Sequence, residues 1–217
     1  MIITIDGPAG SGKSTVAKLL ASELNFIHFN SGSLFRGITA FLHEASFDVN
    51  QITKDSLLPQ INLETKLINH TQHVLVNGKD YTSMLRDNKI STLVALVALN
   101  KNCRKIVDNC QRSFASNNNI VIEGRDVGSH VFPNADIKFY LDCSIEERAK
   151  RRFKEEKLKN PNITIEEILK QIKERDLLDK SREIAPLVVP QNAIIIDSTS
   201  LTIENVVRKM KQYITKI

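Results

Sequence analysis

The eight residues Gly7-Pro8-Ala9-Gly10-Ser11-Gly12-Lys13-Ser14 match the pattern G-x-x-x-x-G-K-[ST], and no other stretch of this chain limits its fold so narrowly. The run before them, "IITID" (2–6), is short and β-branched. After them Val16, Leu19, Leu20 and Leu24 recur at helical spacing. The chain therefore opens strand, loop, helix. In that setting the glycines let backbone N–H groups converge on phosphate oxygens, and the helix start adds the positive end of its dipole. Lys13 would reach the β- and γ-phosphates, and the Ser14 hydroxyl suits Mg²⁺. The loop implies a nucleoside triphosphate but says nothing about what receives the phosphate.

Further on, "IVIE" (120–123), "IKFYLD" (137–142) and "AIIID" (193–197) are continuous apolar runs of buried-strand length, separated or followed by helical patterns. That alternation predicts an α/β fold with a parallel sheet covered on both faces. Ser144-x-x-Glu147 and Thr164-x-x-Glu167 are capping boxes that place two helix starts. Ile203, Val206, Val207, Met210 and Ile214 stripe a last helix. Residues 86 to 116 read as helical with an interruption near Asn100 to Asn102. One region differs: "LETKLINHTQHVLVNGKDYT" (63–82) alternates and carries Asn-Gly, so antiparallel strands are expected there as a small insertion. "KLKNPN" (157–162) is a polar break between two helices.

Composition narrows the partners. With 217 residues and 41% hydrophobic content the chain can bury a core as one domain. Lys and Arg total 30 against 25 Asp and Glu, a formal charge of +5, yet there is no basic tail and no run of five like charges. That favours a small anionic ligand over a polynucleotide. There is neither a leader-like pattern nor an apolar run of membrane-spanning length, so no membrane is expected. Cys103, Cys110 and Cys143 lack metal-ligand spacing and read as reduced thiols of a cytoplasmic protein.

Four further clusters each admit a plain reading. In "NSGSLFRG" (30–37), Ser31 could be an N-cap and Arg36 a solvated helix residue, or both could face the carboxyl edge of the sheet, where ligands gather. After "IVIE", Arg125 and Asp126 could pair with each other or line that edge. Arg148, Arg151 and Arg152 form either a solvated face paired with Glu147, Glu155 and Glu156, or guanidiniums that stabilise charge on a transferring group. Finally, the inward stripe Ile165, Ile168, Leu169 and Ile172 continues into Arg175, Asp179 and Arg182. Charges on a core-facing stripe must bind each other or border a ligand.

Taken together, "ITIDGPAGSGKST", "NSGSLFR", "GRDVGSHVFPNA" and "IKERDLLDKSREIAPL" resemble the bacterial cytidylate kinases, from Ile2 to the final helix. The resemblance implies a P-loop nucleoside monophosphate kinase fold with a five-stranded parallel sheet flanked by helices. It also implies an inserted antiparallel β lobe at about 60 to 88 and a short helical lid at about 148 to 162. The implied reaction moves the γ-phosphoryl group of MgATP to CMP or dCMP. ATP and Mg²⁺ would be held by Gly7, Pro8, Ala9, Gly10, Ser11, Gly12, Lys13, Ser14 and Thr15, with Ser14 on the metal. The acceptor would meet Ser31, Arg36, Arg104, Arg125, Asp126, Arg175, Asp179 and Arg182, with Arg104 and Asp126 reading the base. Among the catalytic residues Lys13, Arg125, Arg148, Arg151 and Arg182, Lys13 and the lid arginines would offset charge on the moving group, while Arg125 and Arg182, with Arg36, would aim the acceptor for in-line attack. A monomer with no nucleic-acid partner is expected.

Two positions depart from the family: Ala95 stands where a relative has a serine that touches the nucleoside, and Asn30 where an aspartate often precedes "SG". Two rivals stand beside this reading. One is a P-loop kinase with another acceptor, such as UMP or a small metabolite. The other is a nucleic-acid binder regulated by ATP, which the absence of Trp and the 6% aromatic content disfavour.

Overall fold

A computed structural model describes residues 1–53, 55–158 and 160–215. In chain order the elements are β1 (Ile2–Asp6), α1 (Lys13–Leu24), β2 (Ile27–Asn30), α2 (Ser31–Glu44), β3 (Leu63–Ile68), β4 (Thr71–Val76) and β5 (Lys79–Asp80). They continue with α3 (Asn88–Val97), α4 (Lys101–Ala115), β6 (Ile120–Glu123), β7 (Ile137–Asp142), α5 (Ile145–Lys157), α6 (Ile165–Lys180), β8 (Ile194–Asp197) and α7 (Ile203–Ile214). A five-stranded parallel sheet runs in the order β2-β6-β1-β7-β8, and β3-β4-β5 form a separate antiparallel sheet. Among the described residues no helix is long and apolar enough to cross a membrane.

The chain divides into two compact units, Met1–Asn25 with Val121–Ile217, and Phe26–Ile120. In the first, β1 pairs with β7 from Ile3↔Ile137 to Asp6↔Tyr140, and β7 pairs with β8 from Phe139↔Ile194 to Asp142↔Asp197. Ile3, Ile5, Val121, Ile122, Phe139 and Leu141 are buried on this sheet, which is why these strands are apolar throughout rather than alternating. α1 lies against α7. α6 packs on α5 through Ala149, Ile168 and Ile172, with Ile145, Phe153, Ile163, Ile165 and Leu169 partly buried around them. The expected capping box at Thr164 is complete. That at Ser144 is half made, because Glu147 gives its carboxylate to Arg151 Nε (3.0 Å) instead of its own N-cap.

In the second unit the 63–82 stretch forms the expected hairpins. The Asn77-Gly78 turn has φ of 51° and 80°, the two positive values a type I′ turn needs. A second such turn, Asn69-His70 (49° and 59°), carried no glycine to announce it. The break near Asn100 is the N-cap of α4, whose side chain accepts from the N–H groups of Asn102 and Cys103. Gln72 on β4 closes a strand-like bridge to Asn30, accepting from its N–H at 2.8 Å and donating to its carbonyl at 3.4 Å. The Asn30 side chain in turn caps α2 by accepting from Ser33 N–H at 3.0 Å.

Gly37 is the point at which α2 meets β4: a Cβ there would lie 2.4 Å from Val74 Cγ1. Alanine at a helix-interior glycine normally stabilises by about 0.5–1 kcal/mol. Here the clash with a stiff β-branched side chain outweighs that gain. Gly37→Ala is expected to lower stability by about 1–3 kcal/mol, and adding Val74→Ala should cost less than the two single changes summed. Thermal melts of the four proteins in this cycle check it.

Candidate active site

The first unit builds its site on the ends of β1 and β6. Gly7 leaves β1 with φ of 150°, and a Cβ there would come 2.2 Å from the Leu141 carbonyl, so only glycine turns the chain into the loop. Lys13 is 4% exposed and folds over its own loop, donating to the Pro8 carbonyl at 2.6 Å and to Ser11 Oγ at 3.3 Å. Burial and the positive charge of Arg125 lower its pKa, while Glu123, Asp6 and Asp179 pull it back up. Ser14 Oγ donates to Glu123 Oε1 at 2.7 Å. A hydroxyl and a buried carboxylate facing each other are hard oxygen donors of the kind Mg²⁺ prefers, so these residues fit that ion.

The apolar strand β6 ends in Glu123-Gly124-Arg125-Asp126, and the chain then enters a π-helical turn, Val127–Val131. Asp6, fully buried, holds the start of that turn by accepting from the N–H groups of Val127 (2.8 Å) and Gly128 (2.7 Å). Burial pushes its pKa up to about 7, against those two hydrogen bonds, which favour the charged form.

Arg125 does not pair with its neighbour Asp126. Its Nε donates to Asp179 Oδ2 at 2.9 Å. Arg175 Nε donates to both oxygens of the same carboxylate at 3.2 Å, and Arg182 Nη2 donates to Oδ1. Asp179 is 0% exposed; burial alone would raise its pKa, but Arg125, Arg175 and Arg182 together hold it below the usual range. The expected charged continuation of the α6 stripe is thus a ring of three guanidiniums about one carboxylate. Asp126 is also buried.

The three arginines of α5 separate. Arg152 pairs with Glu156 at 3.4 Å. Arg151 takes Glu147 and donates through Nη2 to the Ser198 carbonyl at 2.8 Å, while Ser198 Oγ donates to the Ser11 carbonyl at 3.2 Å. Arg148 is buried and donates to the Ala9 carbonyl at 3.0 Å. Residues 148–157 of the expected lid are helical, and Lys159 within it lies outside the described residues.

In the second unit, Ser31 is buried as the first residue of α2 and Arg36 is half-buried on the same helix. Arg104, 3% exposed on α4, sits over the Phe35 ring at 5.6 Å. Ala95 is buried on α3, with Ser91 one turn before it and Thr92 bonded to its own helix through Asn88 O. Among the described residues there is no cluster of three or more His, Cys, Asp or Glu suited to holding a metal.

Sequence reasoning overlooked Asp6, the pairing of Glu123 with Ser14, and Asp176. Each had a signal: Asp6 and Glu123 are lone carboxylates closing apolar strands, and Asp176 adjoins Arg175.

A loop of this form between β1 and α1, on a five-stranded parallel sheet, defines a P-loop kinase-like fold. An uncharacterized protein from Eubacterium ventriosum shares the fold at TM-score 0.55 and 15% identity, covering 100% of this chain and 99% of that one. TT1252 from Thermus thermophilus does so at TM-score 0.50 and 16% identity, covering 100% and 97%. The family model for cytidylate kinase matches residues 3–216. Cytidylate kinase of Caldicellulosiruptor saccharolyticus is 39% identical over 99% of this chain and 96% of its own length, and that of Fusobacterium nucleatum is 39% identical over 100% and 98%. The chain belongs to the cytidylate kinase family.

Asp6 supplies a pH test. Its carboxyl keeps a proton in the folded state up to about pH 7, whereas the unfolded chain, near 3.8, has already released it. Its contribution therefore favours folding at low pH and is lost as pH rises from about 4 through 7. Asp6→Asn places an amide N–H₂ against a backbone N–H and should cost about 1–3 kcal/mol at pH 5. Thermal melts from pH 5 to 8 should show that gap to wild type narrowing.

Proposed function

We propose that the first unit binds ATP on its phosphate loop and that the arginine ring about Asp179 aims a cytidine monophosphate at the γ-phosphoryl group. The reaction of the family gives ADP and CDP or dCDP. The ring carries this reading: three guanidiniums share one carboxylate, so the group keeps a net positive charge for phosphate oxygens. The second phosphate pKa lies near 6, so the attacking oxygen is already ionised at pH 7 and no general base is needed. Positioning and charge neutralisation remain.

Lys13 leaves the Pro8 carbonyl to meet the donor phosphates, and the loop from Gly7 to Thr15, with backbone N–H groups at every residue but Pro8, cradles them. Ser14 and Glu123 would hold Mg²⁺, which would supply neutralisation of charge on the phosphate oxygens. Arg125, Arg175 and Arg182 take the acceptor phosphate, while Asp179 fixes their spread and borders the sugar. Arg151 steadies the loop by way of Ser198 and lies close to the transferring group. Ser31 and Arg36 take the phosphate side of the acceptor, and Arg104 and Asp126 its base. Residues 60–88 act as the acceptor-side lobe and 148–162 as the lid. We further read the chain as a cytoplasmic monomer: its cysteines are thiols, and both nucleotides are assigned to residues of one chain.

An ATP-coupled assay against CMP, dCMP, UMP, AMP and shikimate tests the acceptor. CMP and dCMP should turn over well above the rest; equal or better turnover of UMP or shikimate would overturn the reading. Lys13→Ala should fold normally and lose turnover by about 100-fold or more, since a charge-assisted contact in the transition state disappears. A carboxylate can accept from the cytosine amino group but not from the uracil carbonyl at the same place. Asp126→Ala should therefore lose preference for CMP over UMP, read as the ratio of kcat/KM values.

A further inference from the structure

Arg148 sits on α5 among residues of the expected lid, yet all its recorded partners lie inside the first unit. Its Nε donates to the Cys143 carbonyl at 3.1 Å, and its Nη1 donates to the Ala9 carbonyl at 3.0 Å and forms an ion pair with Asp176 Oδ2 at 2.7 Å. The side chains of Arg148 and Asp176 are 7% and 12% exposed, so the pair is shielded from solvent. One guanidinium thus joins three segments: the phosphate loop at Ala9, the β7–α5 connection at Cys143, and α6 at Asp176.

Asp176 follows Arg175 and lies three residues before Asp179. It faces Arg148 and, through it, the donor loop, while Arg175 and Asp179 belong to the arginine ring. The other carboxylate oxygen of Asp176, Oδ1, is buried without a hydrogen-bond partner among the described residues. Hydrophobic packing gives no reason to keep a half-satisfied carboxylate there, since apolar side chains of similar volume replace buried ion pairs at little or no loss of stability. What an apolar pair could not do is fix the Ala9 carbonyl.

We propose that Asp176 is a positioning residue for phosphoryl transfer. By holding the Arg148 guanidinium that binds Ala9, it sets the spacing between the loop that carries the donor phosphates and α6, which carries Arg175 and Asp179 of the ring. In-line transfer is sensitive to misplacement of about 1 Å. Neither residue need touch a substrate for this effect, which rests on reading the loop as the ATP site.

The test compares wild type with three variants: Arg148→Met/Asp176→Leu, which removes the pair and keeps an apolar fill; Arg148→Lys, which keeps the charge for Asp176 but lacks the forked N–H geometry; and Asp176→Asn. Melting temperature, kcat, and KM for ATP and CMP are measured for each. The double variant and Arg148→Lys are expected to melt close to wild type, with KM for CMP within about threefold. Their kcat should fall about 10-fold or more and their KM for ATP should rise. Asp176→Asn should lose kcat to the same degree when assayed well below its melting point.

Wild-type kcat in a stably folded double variant or in Arg148→Lys would overturn the proposal, as would losses that rise equally in both KM values and track melting temperature. Should the double variant not fold, Arg148→Lys alone decides. Lys13→Ala separates this from the ATP-site reading: if that variant keeps turnover, the loop assignment has failed, not the role of Asp176.

Discussion

A single buried carboxylate, Asp179, gathers three arginines of the first unit at one point. A guanidinium is costly to desolvate alone, and three close together repel one another. Burial and the charge of Arg125 work against ionisation of Arg175, while Asp179 restores it. With Asp179 at the centre, Arg125 from the loop after β6, Arg175 from α6 and Arg182 from just beyond its C-cap share one anchor. A guanidinium has five N–H donors, and an anchor contact uses only one or two. The ring can satisfy its carboxylate and still offer hydrogen bonds to a phosphate. Exchanging Asp179 for a neutral residue would leave three neighbouring positive charges, that of Arg182 buried, without their shared counter-charge.

The ring is useful only if Arg125 and the phosphate loop keep a fixed relation, and two other carboxylates arrange that by crossing over. Asp6 at the end of β1 accepts from the backbone of the turn that follows β6, while Glu123 at the end of β6 accepts from Ser14, which follows β1. A backbone bond from Gly124 N–H to the Ile5 carbonyl (3.1 Å) lies between them. Each strand thus holds the loop belonging to the other. A shift of one residue in either strand would turn that strand's carboxylate to the opposite face of the sheet and break its half of the arrangement.

Much of this could be read from the residues. β1, β6 and β7 begin and end where their apolar runs do, and the Ile168 and Ile172 stripe led to Arg175 and Asp179 because one helix periodicity governs both, with Arg182 falling just past the helix end. The arginines of α5 divide differently. Arg151 has Glu147 and Glu155 four residues away and Arg152 has Glu156, so local spacing describes those two well. Arg148 has no acidic residue three or four positions away, and its partners at Ala9 and Asp176 are distant in sequence. Asp6 was hidden for the same reason: its meaning depends on the backbone of residues 121 and 122 positions later. Long-range polar pairing leaves no period along a chain, whereas burial of a helix or strand face does.

The last turns of α6 show how strongly the polar contacts act. Leu177 and Leu178 are 68% and 40% exposed, while Asp176 and Asp179 on the same turns are buried. Apolar burial alone would favour the reverse, at roughly 1.5–3 kcal/mol for a fully buried leucine. Two constraints prevent the helix from rolling over. Upstream, Ile168 and Ile172 are locked against Ala149 on α5, and because the helix is continuous they fix its rotation. Downstream, Asp176 is held by Arg148 and Asp179 by three arginines, and leaving any of these charges buried without a partner would cost more than an exposed leucine. α6 is an ordinary amphipathic helix over its first half and an inverted one over its second. The inversion places charge beside the phosphate loop, where a hydrophobic face would have no chemistry to perform.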